Sequence, residues 1–323
     1  MRKLLEGLRA AGEESRLRLL ALCAQGELTV SELTQIVGQS QPRVSRHLKL
    51  LCDAGLLHRF REGAWVFFRL ADSGNNARLA QQIVEKILDD DPIFYRDLKR
   101  LKEAKAARAA TASAYFRDNA ERWREIRALH VPEPLVEKVF INAVADRGYG
   151  DLLDIGTGTA RILEILAPYV ERGVGIDLSR EMLAIARNNL QRADLRHCYV
   201  RLSDMYRLPF EDGSIDLISI HQVLHFADDP ARVIAEAARL LRPGGRLIVA
   251  DFGPHAEEYL RAAHAHRRLG FSDDELATWL LSSGLVLSKP TRLEGNPLTV
   301  VIWSADRPGA RKIAEPRLSE TAA

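Results

Sequence analysis

The residues best suited to chemistry lie between positions 154 and 225. Leu152-Leu153-Asp154-Ile155-Gly156-Thr157-Gly158-Thr159-Ala160 reads as a buried strand, a glycine turn and a helix start. Glycine at 156 and 158 lets the backbone approach a ligand where a Cβ would clash. About 20 residues further on, as in nucleotide-binding α/β folds, Gly173-Val174-Gly175-Ile176-Asp177 reads as a second strand ending in a carboxylate. That acid can accept from both ribose hydroxyls, so the pair fits a dinucleotide as well as another nucleoside cofactor. Val200-Arg201-Leu202-Ser203-Asp204-Met205 places an acid able to accept from an adenine amino group beside an apolar cover for the ring. Ser214–His225 reads as a fourth strand, with His221 and His225 near its carboxyl end, where the ligand crevice of an open α/β sheet lies.

A helix at Ala237–Leu241, the break Arg242-Pro243-Gly244-Gly245 and the strand Arg246-Leu247-Ile248-Val249-Ala250-Asp251 complete the set. In kind and order these motifs resemble class I S-adenosylmethionine (SAM)-dependent methyltransferases, especially those acting on small molecules such as ubiquinone and menaquinone precursors. The resemblance covers residues 115–305. It implies a Rossmann-like α/β domain with a seven-stranded sheet. Its antiparallel end would be the hairpin of Leu285–Leu293 and Leu298–Trp303, turning at Gly295-Asn296. It also implies SAM as cofactor, with S-adenosylhomocysteine (SAH) as product or effector. Asp154, Gly156 and Gly158 would hold the methionine end, Asp177 the ribose, and Asp204 with Met205 the adenine; Thr157, Leu178 and His221 complete the expected contacts. Ala160 stands where many members have a third glycine.

Methyl transfer from a sulfonium is an in-line displacement in which alignment supplies most of the catalysis. Where the acceptor carries a proton a base helps, and His221 and His225 are the candidates; the alternative is a satisfied histidine packed beside the cofactor. His255, Glu258, His264 and His266 form a denser group. It reads better as a solvated helix over the substrate pocket, with Arg267 and Arg268 available for an anionic ligand, than as a metal site, and no metal is expected. Arsenite methylation wants several thiolates, and Cys198 is the single cysteine of this domain.

The first 70 residues have another pattern: short helices, then a hairpin. Ser15–Ala24 is apolar at helical spacing, and Val30–Gly38 is a short helix ending on glycine. After Pro42, Val44, Leu48 and Leu51 repeat at a spacing of 3–4 and face inward, leaving Gln41, Arg43, Ser45, Arg46 and Lys49 outside. A major groove admits such a helix. Leu56–Phe60 and Trp65–Leu70 alternate as strands about Arg61-Glu62-Gly63-Ala64, and Arg59 and Arg61 could reach phosphates. The run from Glu27 to Leu70 resembles ArsR/SmtB winged-helix repressors over residues 1–90. That implies a homodimer, paired through the first helix and the helix near Asn75–Leu88, on a palindromic double-stranded operator. The family's metal sensing does not transfer, because Thr29 and Ser31 stand where its thiolate motif has cysteines and no histidine occurs between His58 and His130.

Two domains suit a chain of 323 residues. A net charge of +2 makes any nucleic-acid affinity a matter of local clustering. The expected division is residues 1–90 for DNA binding and dimerisation, 91–130 as helical linker and cofactor lid, 131–306 as the methyltransferase domain, and 307–323 as a flexible tail. In the linker, Lys99, Arg100, Lys102, Lys105 and Arg108 give a basic face, read as solvated or lying along DNA. Tyr115, Phe116 and Trp123 either line the lid or pack the linker onto the next domain. The first 20 residues do not read as a secretory signal, no apolar run is long enough for a membrane helix, and three scattered cysteines fit reduced cytoplasmic thiols. The combined expectation is a DNA-binding regulator that methylates a small-molecule acceptor, senses SAM or SAH, or does both. A methyltransferase using the winged helix only to dimerise would have no use for Arg43, Arg46 and Lys49.

Overall fold

Capping chemistry sets the first helices. After α1 (Arg2–Ala11) and α2 (Glu14–Cys23), the Thr29 hydroxyl accepts from the Glu32 N–H and the Glu32 carboxylate accepts from the Thr29 N–H. This reciprocal box opens α3 (Val30–Val37), which Gly38 closes in the left-handed conformation. Pro42 sits in the first turn of α4 (Gln41–Asp53), where its missing N–H costs nothing. The computed structural model describes residues 1–62, 65–71, 74–87, 91–119 and 131–309. The expected tail beyond 309, and Trp123 in the expected lid, lie outside them.

β2 (Leu57–Glu62) and β3 (Trp65–Leu70) form the wing, and β1 (Leu28–Thr29) adds a third strand to β3, giving the order β1-β3-β2. Two residues are too few for alternation to reveal β1 in sequence. α5 (Ala77–Glu85) and α6 (Pro92–Asn119) follow. Leu19, Leu20, Leu33, Ile36, Val44, Leu48 and Leu51 share one buried cluster, so α2, α3 and α4 meet through their apolar stripes.

Two compact units result. The first comprises Met1–Arg124 together with Gln222–Pro230 and Asp251–Phe271, so it includes two segments from the later chain. The second comprises Glu125–His221, Ala231–Ala250 and Ser272–Ala323. From α7 (Glu133–Val144) the chain runs through β4 (Tyr149–Ile155), α8 (Arg161–Leu166), β5 (Val170–Asp177), α9 (Arg180–Arg192), β6 (Cys198–Leu202) and β7 (Ile215–His221). Then come α10 (Pro230–Leu240), β8 (Leu241–Phe252), α11 (Tyr259–Ala263), α12 (Asp273–Ser282), β9 (Val286–Leu287), β10 (Thr291–Leu293) and β11 (Val300–Asp306).

The large sheet has the order β10-β11-β8-β7-β4-β5-β6, with β9 also on β11, so it has eight strands and not seven. β4 pairs in parallel with β5 and β7, and β5 with β6 and β7 with β8 do the same; β9 and β10 run antiparallel to β11. Leu152, Leu153, Leu217, Ile218, Leu247 and Ile248 are fully buried, the continuous apolar run of a strand covered on both faces. Among the described residues no helix is long and apolar enough to cross a membrane.

On α6 the cations Lys99, Arg100 and Lys102 are exposed, as a solvated face requires, while Arg100 donates to the Ile36 carbonyl at 3.0 Å and the half-buried Lys105 to the Gln25 carbonyl at 2.8 Å. Each thereby satisfies a carbonyl at or just past a helix C-terminus. On the same helix the buried Asp97 accepts a forked pair of bonds from Arg18 of α2, at 2.6 and 2.8 Å. Asp97 holds the Arg18 guanidinium charged by hydrogen bonding, above its ordinary value. Asp97→Ala would strand that cation; we expect a loss of about 3 kcal/mol in urea unfolding, largely recovered by Arg18→Met with Asp97→Leu.

Candidate cofactor site and nucleic-acid interface

Strand order reverses at β4, which is flanked by β5 and β7, and open α/β sheets bind ligands beyond the carboxyl ends at such a switch point. Register brings those ends level: Ile155 pairs with Ile176 and Ile220, Asp177 with Leu202, and His221 with Ala250. The buried Asp154 accepts from the Ser219 hydroxyl at 2.7 Å, fixing the base of the turn to β7. In the turn Gly156, Gly158 and Ala160 all have left-handed backbone, with φ of 69°, 52° and 66°. Ala160 thus holds a glycine-like conformation, at a cost of about 1 kcal/mol. Gly175 of β5 is equally constrained, since a Cβ there would stand 2.6 Å from the Thr157 hydroxyl.

Asp177 closes the arrangement. One carboxylate oxygen accepts from the Gly158 N–H at 2.9 Å and the other from the Ser179 N–H at 2.8 Å. Removal from water nevertheless pushes its pKa above the ordinary value. Asp204 lies exposed after β6, accepting from the Tyr206 N–H at 2.9 Å, and Met205 beside it is half-buried. Leu178 is 60% exposed, an apolar side chain left bare beside Asp177. The Thr157 hydroxyl is buried with no hydrogen-bond partner among the described residues. A partly buried acid ending β5, an exposed acid after β6, a bare apolar side chain and a tight backbone turn fit the groups that SAM presents. When bound, SAM supplies an electrophilic methyl group on a sulfonium.

The two histidines differ. His221 ends β7 half-buried, its ring edge-on to Phe140 of α7 at a 5.6 Å centroid distance. His225 is buried, with Nδ1 2.7 Å from the Asp251 carboxylate. Asp251 also accepts from the N–H groups of His225 and Phe252. Sequence reasoning treated Asp251 only as the end of a strand. An acid closing a strand beside a histidine-bearing loop was the available signal.

The 255–268 region overturns its reading as a solvated helix. α11 spans only Tyr259–Ala263, so His255, His264 and His266 lie outside it. His266, Arg267 and Arg268 are buried, and both arginines are engaged by Glu27, Glu32 and Asp228, not available to an anionic ligand. Tyr115 bonds His264 at 2.7 Å and Phe116 packs edge-on to Phe226 at 4.8 Å. Burial raises the Tyr115 hydroxyl to about 12 and lowers His264.

On α4, Val44, Leu48 and Leu51 are fully buried while Gln41, Arg43, Ser45, Arg46 and Lys49 are exposed. Arg59 and Arg61 are exposed on β2. Burial pushes both N-terminal thiols up, Cys52 to about 11 and Cys23 further, which disfavours the thiolates a soft metal would need.

Comparison with known proteins finds two family matches along the chain. Residues 13–59 match the family of bacterial regulatory proteins of the arsR type, and residues 153–249 match the methyltransferase domain. The chain joins an arsR-type DNA-binding domain to a SAM-dependent methyltransferase domain. A 37.1 kDa protein of transposon TN4556 from Streptomyces fradiae is 41% identical over 118 residues, 36% of this chain and 34% of that protein. The chain therefore spans about a third of that relative. A ubiquinone biosynthesis O-methyltransferase of Methylococcus capsulatus is 28% identical over 201 residues, 57% of this chain and 84% of that one. The crystal structure of YcgJ from Bacillus subtilis superposes with a TM-score of 0.48 at 18% identity, over 53% of this chain and 97% of that one.

If Asp177 accepts from the ribose hydroxyls, SAM binding should weaken as pH falls through its raised pKa, by up to about tenfold per pH unit. In the ligand-free protein the sign reverses: the raised pKa removes stability as pH climbs from the unfolded value through the folded one. Calorimetry should show Asp177→Asn binding SAM about 10–100-fold more weakly, with the acid dependence gone. A parent-like profile would remove the ribose assignment.

Proposed function

We propose that this protein is a DNA-binding transcriptional regulator whose second domain binds SAM, methylates a small molecule and reports SAM or SAH status to the winged helix. The α4 surface carries the reading: its apolar residues are buried and its cations face solvent, as a helix seated in a major groove requires. Gln41, Ser45 and Arg46 would reach base edges, while Arg43, Lys49, Arg59 and Arg61 would neutralise phosphates.

Leu4, Leu5 and Leu8 on α1 are each close to half exposed, an apolar stripe that supports pairing of two copies through α1 and α5 on a palindromic operator. We assign residues 1–90 to this module, 91–130 to the joint and 131–306 to the methyltransferase domain; Arg307, expected to begin a tail, instead exchanges backbone hydrogen bonds of 2.8 Å with Gly244 and Gly245. A DNA-binding domain together with free cysteines supports a cytoplasmic location. Relatives named as ubiquinone O-methyltransferases support a hydroxyl-bearing small molecule as acceptor. Asp154, Gly156, Thr157, Gly158, Asp177, Leu178, Asp204, Met205 and His221 would contact the cofactor. His221 or His225 would take the acceptor's proton, and Asp251 would hold the His225 ring in one tautomer.

Arg46→Ala should weaken binding to the protein's own upstream DNA by about 10–100-fold, read by fluorescence anisotropy, with SAM affinity unchanged. Parent-like DNA affinity would take α4 out of the interface. Leu8→Glu should sediment as a monomer and bind the same duplex more weakly; a dimer with intact affinity would refute pairing through α1.

A further inference from the structure

Beyond His221, β7 passes into the segment Gln222–Pro230, and beyond Ala250, β8 passes into Asp251–Phe271; both segments belong to the first unit. His225 ties them together. Its ring bonds the Asp251 carboxylate at 2.7 Å, and its carbonyl accepts from the N–H groups of Arg267 and Arg268 at 2.9 and 3.0 Å. From that shared anchor the two arginine side chains reach the winged helix. Arg268, only 2% exposed, pairs with the buried Glu27 carboxylate at 2.9 Å and lies over the Phe60 ring of β2 at 5.0 Å. Arg267 donates to the Glu27 carbonyl at 2.6 Å and sits 3.6 Å from the Glu32 carboxylate and 3.2 Å from Asp228. Arg261 donates to the Arg267 carbonyl and lies over Trp65 of β3 at 4.4 Å.

Glu32 is also the carboxylate that opens α3, and Glu27 immediately precedes β1. One short stretch of chain therefore grips the start of α3 and both wing strands. The grip is stiff for a physical reason: loosening a buried guanidinium from its carboxylate leaves an uncompensated buried charge. A shift at His225 is met more cheaply by moving the winged-helix elements with the arginines than by breaking the pair.

We infer that Arg267 and Arg268 are the coupling element through which occupancy of the proposed cofactor site alters the DNA affinity of the winged helix. This rests on the regulator reading above. The ligand acts only if it binds the two arrangements with different affinity, and DNA must then alter ligand affinity by the same factor.

The test is a binding cycle on the full chain, using a labelled duplex of its own upstream DNA with no ligand, saturating SAH or saturating SAM. The parent should show a ligand-dependent change in DNA affinity of about fivefold or more. In Glu27→Leu with Arg268→Met, which removes both charges and keeps volume, the change should fall within about twofold, while DNA affinity without ligand and SAH affinity without DNA stay within about threefold. Asp228→Asn removes a half-exposed partner of Arg267 without a buried substitution and should also reduce the ligand effect. Variants that bind DNA and SAH normally yet keep the parent's full ligand effect would overturn the coupling role and leave sensing intact. A parent whose DNA affinity ignores both ligands would overturn sensing itself, and the coupling role with it.

Discussion

A guanidinium taken out of water has to be met by carboxylates or carbonyls, and this demand fixes much of the first unit. Arg18 is answered by Asp97 and the Val37 carbonyl, Arg268 by Glu27, and Arg267 by Glu27, Glu32 and Asp228. Through these pairs α6 is set on α2 and α3, and the segment following β8 is set on β1, α3 and the wing. Apolar burial alone would tolerate sliding along these faces. Forked bonds of 2.6–2.9 Å to particular carboxylates do not.

What could be read in the sequence follows from the range of the signals. α3 and α4 are marked locally by a capping residue, a closing glycine, a proline in the first turn and apolar residues at helical spacing, so their extents and buried faces were legible. The glycine turn and the acids at strand ends were legible for the same reason. Arg18 and Asp97 are 79 residues apart, and Arg268 and Glu27 are 241 apart. Nothing near any of them in sequence announces a partner. Charged residues without a visible partner read as free for solvent or ligand, which fits most surfaces and fails at the buried Arg267 and Arg268. β1 was missed because a strand of two residues is specified by its neighbour Phe68, not by its own pattern.

The glycine turn shows backbone and chemistry solving one problem together. Three left-handed residues let the chain turn sharply between β4 and α8, and the turn's Gly158 N–H is consumed by Asp177 of the next strand. Asp177 therefore helps shape the turn before any ligand is present, and burial raises its pKa even with two N–H donors. Ala160 at φ 66° carries backbone strain that a glycine would not.

On the proposed reading, SAM and SAH share the groups assigned to Asp154, Asp177 and Asp204, so those residues cannot tell the two apart. The ligands differ at the sulfur, in one methyl group and one positive charge. Discrimination must then arise beside the sulfonium. Within the first unit His225 stands against the buried Asp251, and its carbonyl holds the N–H groups of Arg267 and Arg268. On the inference above, a ligand effect would reach the winged helix through the His225 carbonyl and the two arginines it holds.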